Sequence, residues 1–399
     1  MTLRLSDVTG LLDAWYDPSW AESWDAVGLV CGDPGQPVAK ILLAVDPAPA
    51  VVDEALSWGA DLVLCHHPLL LGAVHGVAAT TPKGRVVHRL LTGGVALLTA
   101  HTNADVPADG VNESLARAVG VVDPRVVVDT DDGDGALDKL VVFVPHEHAD
   151  GVRSALASVG AGTLGAYDSA SFTSSGEGRF RPLEGARPAI GSVGELEVVA
   201  ESRVEVVFPR AKRREVVAAM LAAHPYEEVA YDVLERVDAG PSRATRGHGR
   251  IGRLAEPTTL RGFAERVSAS LPATAHGVRV SGDPDRRVET VVVGSGSGDF
   301  MLDTVLGTDA DVYLTSDLRH HRAGEFREHD GPALVDVAHW AAEWTWLPVV
   351  EQKLLGAVRD RGDTVETRVS RTVTDPWTFR VDRPADLGEP PPPNLRSTH

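Results

Sequence analysis

Apolar positions along the chain recur with two different periods. Val8, Leu11, Leu12 and Trp15 fall at helical spacing behind Ser6, a candidate cap, and predict one amphipathic helix over Ser6 to Tyr16. The pattern then changes to short apolar runs separated by helix-like stretches. Ile41 to Val45 is a run, Ala50 to Trp58 carries Val51, Val52, Ala55 and Leu56 on one face, and Asp61 to Cys65 is a second run that ends in His66, His67 and Pro68. A helix over Gly84 to Leu91 and a strand over Val95 to Ala100 follow, and this strand ends in His101, Thr102, Asn103, Ala104 and Asp105. Strand, helix and strand in this order predict an α/β unit.

The same order returns near the C-terminus. Val288 to Val293, the helix Phe300 to Leu306, the run Ala310 to Leu314 and the run Gly331 to Val335 correspond one by one to the elements of the first unit. Each copy closes its last strand on a histidine, His101 and His339. The reading is two related α/β halves about a pseudo-twofold axis, with ligands entering from the strand ends; chance likeness of two α/β units is the plainer alternative. Between them, Leu140 to Val144, a helix over Ala149 to Val159, Val204 to Phe208, Arg213 to Ala223 and Ala230 to Leu234 read as two βαβ-like units, an inserted α+β split-βαβ sandwich. The expected organisation is 1–130 for the N-terminal half of the core, 138–237 for the ferredoxin-like insertion, 247–380 for the C-terminal half and 382–399 for a disordered Pro-rich tail. The acidic stretch Asp129 to Gly135 and the Gly/Arg/Ser stretch Asp238 to Gly249 read as the junctions.

Composition narrows the function classes. The 399 residues carry 38 Lys and Arg against 57 Asp and Glu, a formal charge of −19, so nucleic acid is an unfavourable partner. No run approaches the roughly 18 consecutive apolar residues of a membrane span. Two cysteines cannot build a disulfide scaffold, and the first 20 residues lack a basic, then apolar export pattern. A cytoplasmic protein with no membrane partner is the expectation.

Three clusters carry candidate chemistry. His66 and His67 follow a strand; adjacent strand residues point to opposite faces, so two neighbouring ions could take one histidine each, and a structural pair in a loop is the alternative. Asp105 adds a carboxylate at the end of the neighbouring strand, within what could equally be ordinary loop polarity. His339 and Glu343 are four residues apart and share a face if a helix begins near Trp340; Glu343 could otherwise be a capping or dipole group. Together they form a mixed nitrogen and oxygen set suited to Zn, Fe, Mn or Ni. Five donors exceed what one tetrahedral ion needs, and two divalent ions sharing a bridging carboxylate, Glu343, would use them, which makes hydrolysis the default chemistry. His101 and His321 are candidate proton shuttles; Asp317 and His321 could be rim or substrate groups, and a solvated loop is the slightly preferred alternative. Val293 to Asp299 could hold a phosphate or carboxylate on its backbone N–H groups, but a simple tight turn is the preferred reading. Cys65 should point away from His66 into the core. His224, Pro225, Tyr226, Glu227 and Glu228 look metal-like, but no second nitrogen ligand stands nearby, so a loop or subunit contact is preferred.

The blocks Glu22 to Leu29, Gly59 to Pro68, His101 to Asp105 and Asp336 to Glu343, in this order, resemble the signature blocks of the NIF-three-like dinuclear-metal hexamer family, also labelled GTP cyclohydrolase 1 type 2 homologues. The resemblance runs from about Ser6 to Trp377, and Tyr167 to Phe172, Gly178 to Gly185 and His224 to Glu228 are similar to the ferredoxin-like insertion of its long form. It implies a two-metal site at His66, His67, Asp105, His339 and Glu343 and a toroidal homohexamer. A nucleotide or other small molecule is the implied substrate. The sequence departs from the family pattern at Ala26, at Val337 and Ala338, and at Trp340; the ligand positions are kept. A metal-dependent hydrolase is the first expectation, and a non-catalytic metal-binding scaffold or metal-handling hexamer the second.

Overall fold

The computed structural model describes residues 3–130, 137–236 and 245–382. The chain divides into two compact units, residues up to Asp129 with those from Thr245 onward, and residues Thr130 to Ala244. The tail expected over 382–399, apart from its first residue, and most of the two expected junctions lie outside the described residues.

The first unit contains two sheets. One has the strand order Gly28–Cys31, Ala96–Thr99, Leu62–Cys65, Lys40–Ala44, Glu366–Val369. Its three inner strands are parallel, and Leu62–Cys65 and Ala96–Thr99 are buried throughout, as strands covered on both faces must be. Helices Pro49–Trp58 and Pro82–Thr92 cover one face; Leu5–Trp15 and Trp346–Asp360 cover the other. Local signals set these helices. Thr81 Oγ1 accepts from Gly84 N at 3.0 Å ahead of Pro82, and Gly59, left-handed at φ 73°, ends the helix before it. The first helix starts one residue earlier than expected, so Ser6 is inside it and the end is closed by Asp7, whose carboxylate accepts from Arg4 N at 2.9 Å.

The second sheet runs Val278–Ser281, Ala333–Val337, Val312–Ser316, Arg287–Ser297, Gly247–Thr259, Val121–Asp129. Its first four strands repeat the first sheet: three parallel strands in the same spatial order, and an antiparallel strand beside the third. Helices Val111–Ala118 and Leu260–Ser270 pack on one face, and Leu302–Leu306 and His320–Arg327 on the other. The two halves interlock. Val121–Asp129 pairs with Gly247–Thr259 at the edge of the second sheet, while Glu366–Val369 pairs with Lys40–Ala44 at the edge of the first. A boundary at residue 130 therefore divides the sequence without dividing the packing of this unit. No helix among the described residues is long and apolar enough to cross a membrane.

The second unit is an antiparallel sheet in the order Ser171–Phe180, Glu197–Pro209, Leu137–Pro145, Tyr231–Glu235. Helices Ala149–Ser158 and Arg213–Ala223 cover one face through Leu140, Val142, Val144, Val204, Val206 and Phe208. This is the split-βαβ arrangement. The strand Ser171–Phe180 had no apolar run to announce it, because it is an edge strand rich in Ser and Gly with most side chains exposed.

Candidate metal centre

The strands of the first unit end at one place. Beyond Cys65 the chain stays extended: His66 N donates to Ala44 O at 3.2 Å and His67 N to Val45 O at 2.8 Å, and Pro68 then prevents further pairing. Cys65 itself is buried on the opposite side, in the core beneath Pro49–Trp58. The neighbouring strand ends at Thr99, and His101 opens a single helical turn, Thr102–Asp105. From the second sheet, Ala333–Val337 delivers His339 as the first residue of helix His339–Trp344, so Glu343 lies one turn along on the same face.

His66, His67, His101, His339, Asp105 and Glu343 converge. The donor atoms of His66, His67 and His101 lie within 4.8 Å of one another, as do those of His67, His339 and Glu343. Glu343 is central and 3% exposed. Its Oε1 lies 2.8 Å from His339 Nε2 and 3.5 Å from His66 Nε2, and its Oε2 lies 2.8 Å from His67 Nε2. Asp105 Oδ1 is 3.7 Å from His66 Nε2, outside both tight groups. His66 Nε2 and Glu343 Oε2 are buried and form no hydrogen bond, although native proteins rarely leave such atoms unsatisfied. Lone-pair atoms crowded around a buried carboxylate, two of them unsatisfied, fit a cation.

Each imidazole is turned so that Nε2 faces the cluster. His66 Nδ1 donates to Ala100 O at 2.9 Å, His67 Nδ1 to Asp46 at 2.7 Å, His101 Nδ1 to Asp25 at 2.8 Å and His339 Nδ1 to Asp317 at 2.7 Å. A proton held at Nδ1 makes Nε2 the ligating atom once any second proton is displaced, the arrangement that orients metal-ligating histidines. Trp346, fully buried, packs its ring 5.6 Å from that of His66. Asp317 holds His339 from a left-handed backbone at φ 57°, uncommon for a residue with a side chain and a local cost of about 1–3 kcal/mol of the kind found at functional sites.

Charge is strongly coupled across the site. Burial drives the Glu343 carboxyl upward, but the fields of His339, His67 and His66 outweigh it and hold it well below the usual range. Burial alone would lower His67 and His339; the Glu343 charge and their aspartate partners instead raise them to about 10 and about 11. Asp105 moves up to about 7, because it is buried and repelled by Glu343 more than the histidines attract it. Asp25, pushed up by burial, is held well below the usual carboxylate range by its bonds to His101 and Thr102.

Two backbone features bring the halves together here. Asn112 Nδ2 donates to Asp105 O at 2.9 Å and its Oδ1 accepts from Ser295 N at 2.8 Å, tying the first half to the glycine-rich stretch of the second. That stretch leads into a helix of only five residues, and its contribution is close approach. Gly296, at φ 68°, lies where a Cβ would stand 3.1 Å from Glu343 Oε1 and 3.6 Å from His339 Nε2.

Of the five donors expected from the sequence, His66, His67, His339 and Glu343 fall in the two tight groups, and Asp105 stands beside them, 3.7 Å from His66 Nε2. His101, expected as a shuttle, stands among the donors. His321 is exposed on helix His320–Arg327 with its ring 5.2 Å from that of His320, and it is in neither group. The orienting carboxylates Asp25 and Asp46 were not singled out. Asp25 stood within a quoted block, but nothing in sequence spacing links residue 25 to residue 101, or 46 to 67. In the second unit, His224 donates from Nε2 to Phe143 O and accepts at Nδ1 from Tyr226 N, so neither ring nitrogen is free for a metal.

Comparison with known proteins gives a consistent set of similarities. A family model described as Duf34/NIF3 (NGG1p interacting factor 3) matches residues 3–376. A Mycobacterium tuberculosis protein named GTP cyclohydrolase 1 type 2 homolog is 50% identical over 377 residues, 94% of this chain and 97% of that protein. A Bacillus subtilis protein of the same name is 38% identical over 373 residues, covering 92% and 96%. The crystal structure of a Bacillus cereus protein related to NIF3 superimposes with a TM-score of 0.65 at 36% identity, covering 95% of this chain and all of that one.

Proposed function

We propose, on the premise that this chain belongs to the Duf34/NIF3 (NGG1p interacting factor 3) family, that the cluster holds two divalent metal ions and hydrolyses a small molecule with an activated water. What supports the reading is the donor set: four imidazole Nε2 atoms with their tautomers set from behind, around a carboxylate whose two oxygens face different histidines. His66, His67, Asp105, His339 and Glu343 would hold the ions, with His101 as a sixth donor. Divalent ions bound there supply Lewis acidity, acidifying water and polarising a substrate oxygen or imine carbon. The chain itself contributes orientation through Asp25, Asp46, Asp317 and Ala100 O, and exclusion of water on the Trp346 side. Zn, Fe, Mn and Ni all suit such a set.

The name carried by the relatives directs the first substrate trial to GTP. Elemental analysis should find about two transition-metal ions per chain, lost in His66→Ala and Glu343→Ala. Metal-dependent release of formate from GTP, abolished by Glu343→Ala, is the expected activity. Fully metallated protein that turns over no nucleotide removes that substrate class. A second reading, a non-catalytic metal-binding scaffold or metal-handling protein, is favoured by one observation: Asp25 locks His101 among the donors, and exposed His321 is outside them, so neither stands as a ready proton shuttle. That reading predicts that His339→Ala abolishes assembly or metal transfer with no catalysis to lose. A homohexamer is proposed with either reading, and sedimentation of the metallated protein tests it.

A further inference from the structure

We propose that the inserted unit carries a second small-molecule site, for a planar heterocycle that presents N–H donors on one edge and carries an anionic tail. The sheet of this unit is covered by helices on one face only. On the other face, Phe143, Glu201, Gly178 and Phe180 share one side by register. Residues of the 181–190 loop and the turn 226–228 border them and form a half-open cavity of about 680 Å³, within the roughly 300–1,000 Å³ usual for ligand pockets. The loop is anchored where Gly194 N donates to Pro182 O at 2.8 Å and Ser192 N to Glu197 Oε1 at 3.1 Å.

The chemistry of the cavity is specific. Its aromatic wall is Phe143, Phe180 and Tyr226, the last two edge to face with ring centres 5.7 Å apart, a surface on which a flat ring can pack. At its base is Glu201, a carboxylate only 8% exposed. Tyr226 Oη donates to Glu201 Oε1 at 3.0 Å, while Oε2 receives no hydrogen bond among the described residues. Gly178 makes room for this carboxylate, since a Cβ there would stand 2.1 Å from Oε2. Glu201 lines the cavity, and its unfilled Oε2, an acceptor only, offers a ligand N–H a charge-assisted hydrogen bond. At the mouth, Arg181 is exposed and has no carboxylate partner among the described residues, whereas Arg179 and Arg203 are paired with Glu177 and Glu205. A free guanidinium at that position suits a phosphate or carboxylate. The segment His224 to Glu228, which resembled a metal motif in the sequence, builds this wall: His224 spends both ring nitrogens fixing the turn that aims Tyr226 at Glu201.

The residues of this site all lie in the inserted unit, and the test distinguishes it from the candidate metal centre. Full-length protein stripped of metal by chelator is titrated calorimetrically with guanosine 5′-monophosphate, adenosine 5′-monophosphate and guanosine. The expected result is saturable binding of one guanosine 5′-monophosphate per chain. Glu201→Gln should weaken it about 10- to 100-fold, the effect of losing a charge-assisted hydrogen bond. Arg181→Ala, at an exposed position that does not endanger folding, should weaken the nucleotide but leave guanosine unchanged. No saturable binding of any of the three at millimolar concentration overturns the proposal. So does binding unaffected by both variants, or binding that Glu343→Ala abolishes and Glu201→Gln preserves, which would assign it to the metal centre.

Discussion

Replacing Gly296 with alanine isolates the close approach of backbone to the candidate metal centre. At φ 68° an L-residue loses about 1–2 kcal/mol relative to glycine. A Cβ at this position would also stand 3.1 Å from Glu343 Oε1 and 3.6 Å from His339 Nε2. The first of these is tighter than an ordinary van der Waals contact, so Glu343 must retreat by a few tenths of an ångström. Glu343 is 3% exposed and hemmed in by three histidines, so it has little room to do so. Gly94 is the control: its φ is 70°, almost the same, and nothing lies within 4 Å of its Cβ position. Gly94→Ala should therefore cost the same 1–2 kcal/mol in denaturant unfolding of the metal-free protein and leave metal binding unchanged. Gly296→Ala should show at least that loss and, in addition, metal affinity lowered about tenfold, the low end of what disturbing a ligand's surroundings causes. The assays are urea titration and competition with a chromophoric chelator. If Gly296→Ala binds metal as tightly as Gly94→Ala, the backbone does not shape this site and the reasoning fails.

Other consequences are as direct. Asp317→Asn removes the charge behind His339, and Asp46→Ala the partner of His67; each should weaken metal binding about 10- to 100-fold, while His321→Ala leaves it unchanged in the same chelator competition. In the metal-free protein His67 and His339 titrate near 10 and 11, so at pH 8 metal must displace both protons. Calorimetry in buffers of different ionisation heat should show about two protons released per site and an affinity that rises with pH. The sign for stability is the reverse: folded values above the ordinary 6.5 stabilise the metal-free protein fully below that pH, and this stabilisation is lost as pH rises through 10 to 11, visible in unfolding of chelated protein. Arg250, 1% exposed, donates to the carbonyls of Val106, Pro107, Gly247 and Gly249 and pairs with Glu113. Arg250→Leu should cost about 3–5 kcal/mol and, because Val106 follows Asp105, lower the metal content as well, read by unfolding and elemental analysis.

Much of this molecule was determined locally and was therefore legible. Runs such as Leu62–Cys65 are continuous because both faces of their strands are covered, and the switch between short runs and helical spacing reveals strand–helix–strand order without knowledge of what packs on what. The convergence of His66, His67 and His339 was legible because chemistry-bearing residues stood at strand ends, and strand ends of such sheets lie side by side. What the sequence could not determine depends on partners far apart in the chain. Val121–Asp129 has a β-pattern with no indication of which sheet it joins, and only packing sends it to the second half while Glu366–Val369 returns to the first. The orienting pairs of His67 with Asp46, His101 with Asp25 and His339 with Asp317 span 21, 76 and 22 residues, and an aspartate in a loop carries no mark of the imidazole it will meet. The cavity over Glu201 is likewise created by a loop folding back on an edge strand too polar to show an apolar run. Periodicity records burial, which each residue experiences by itself; partnership and enclosed space exist only once the chain has closed on itself.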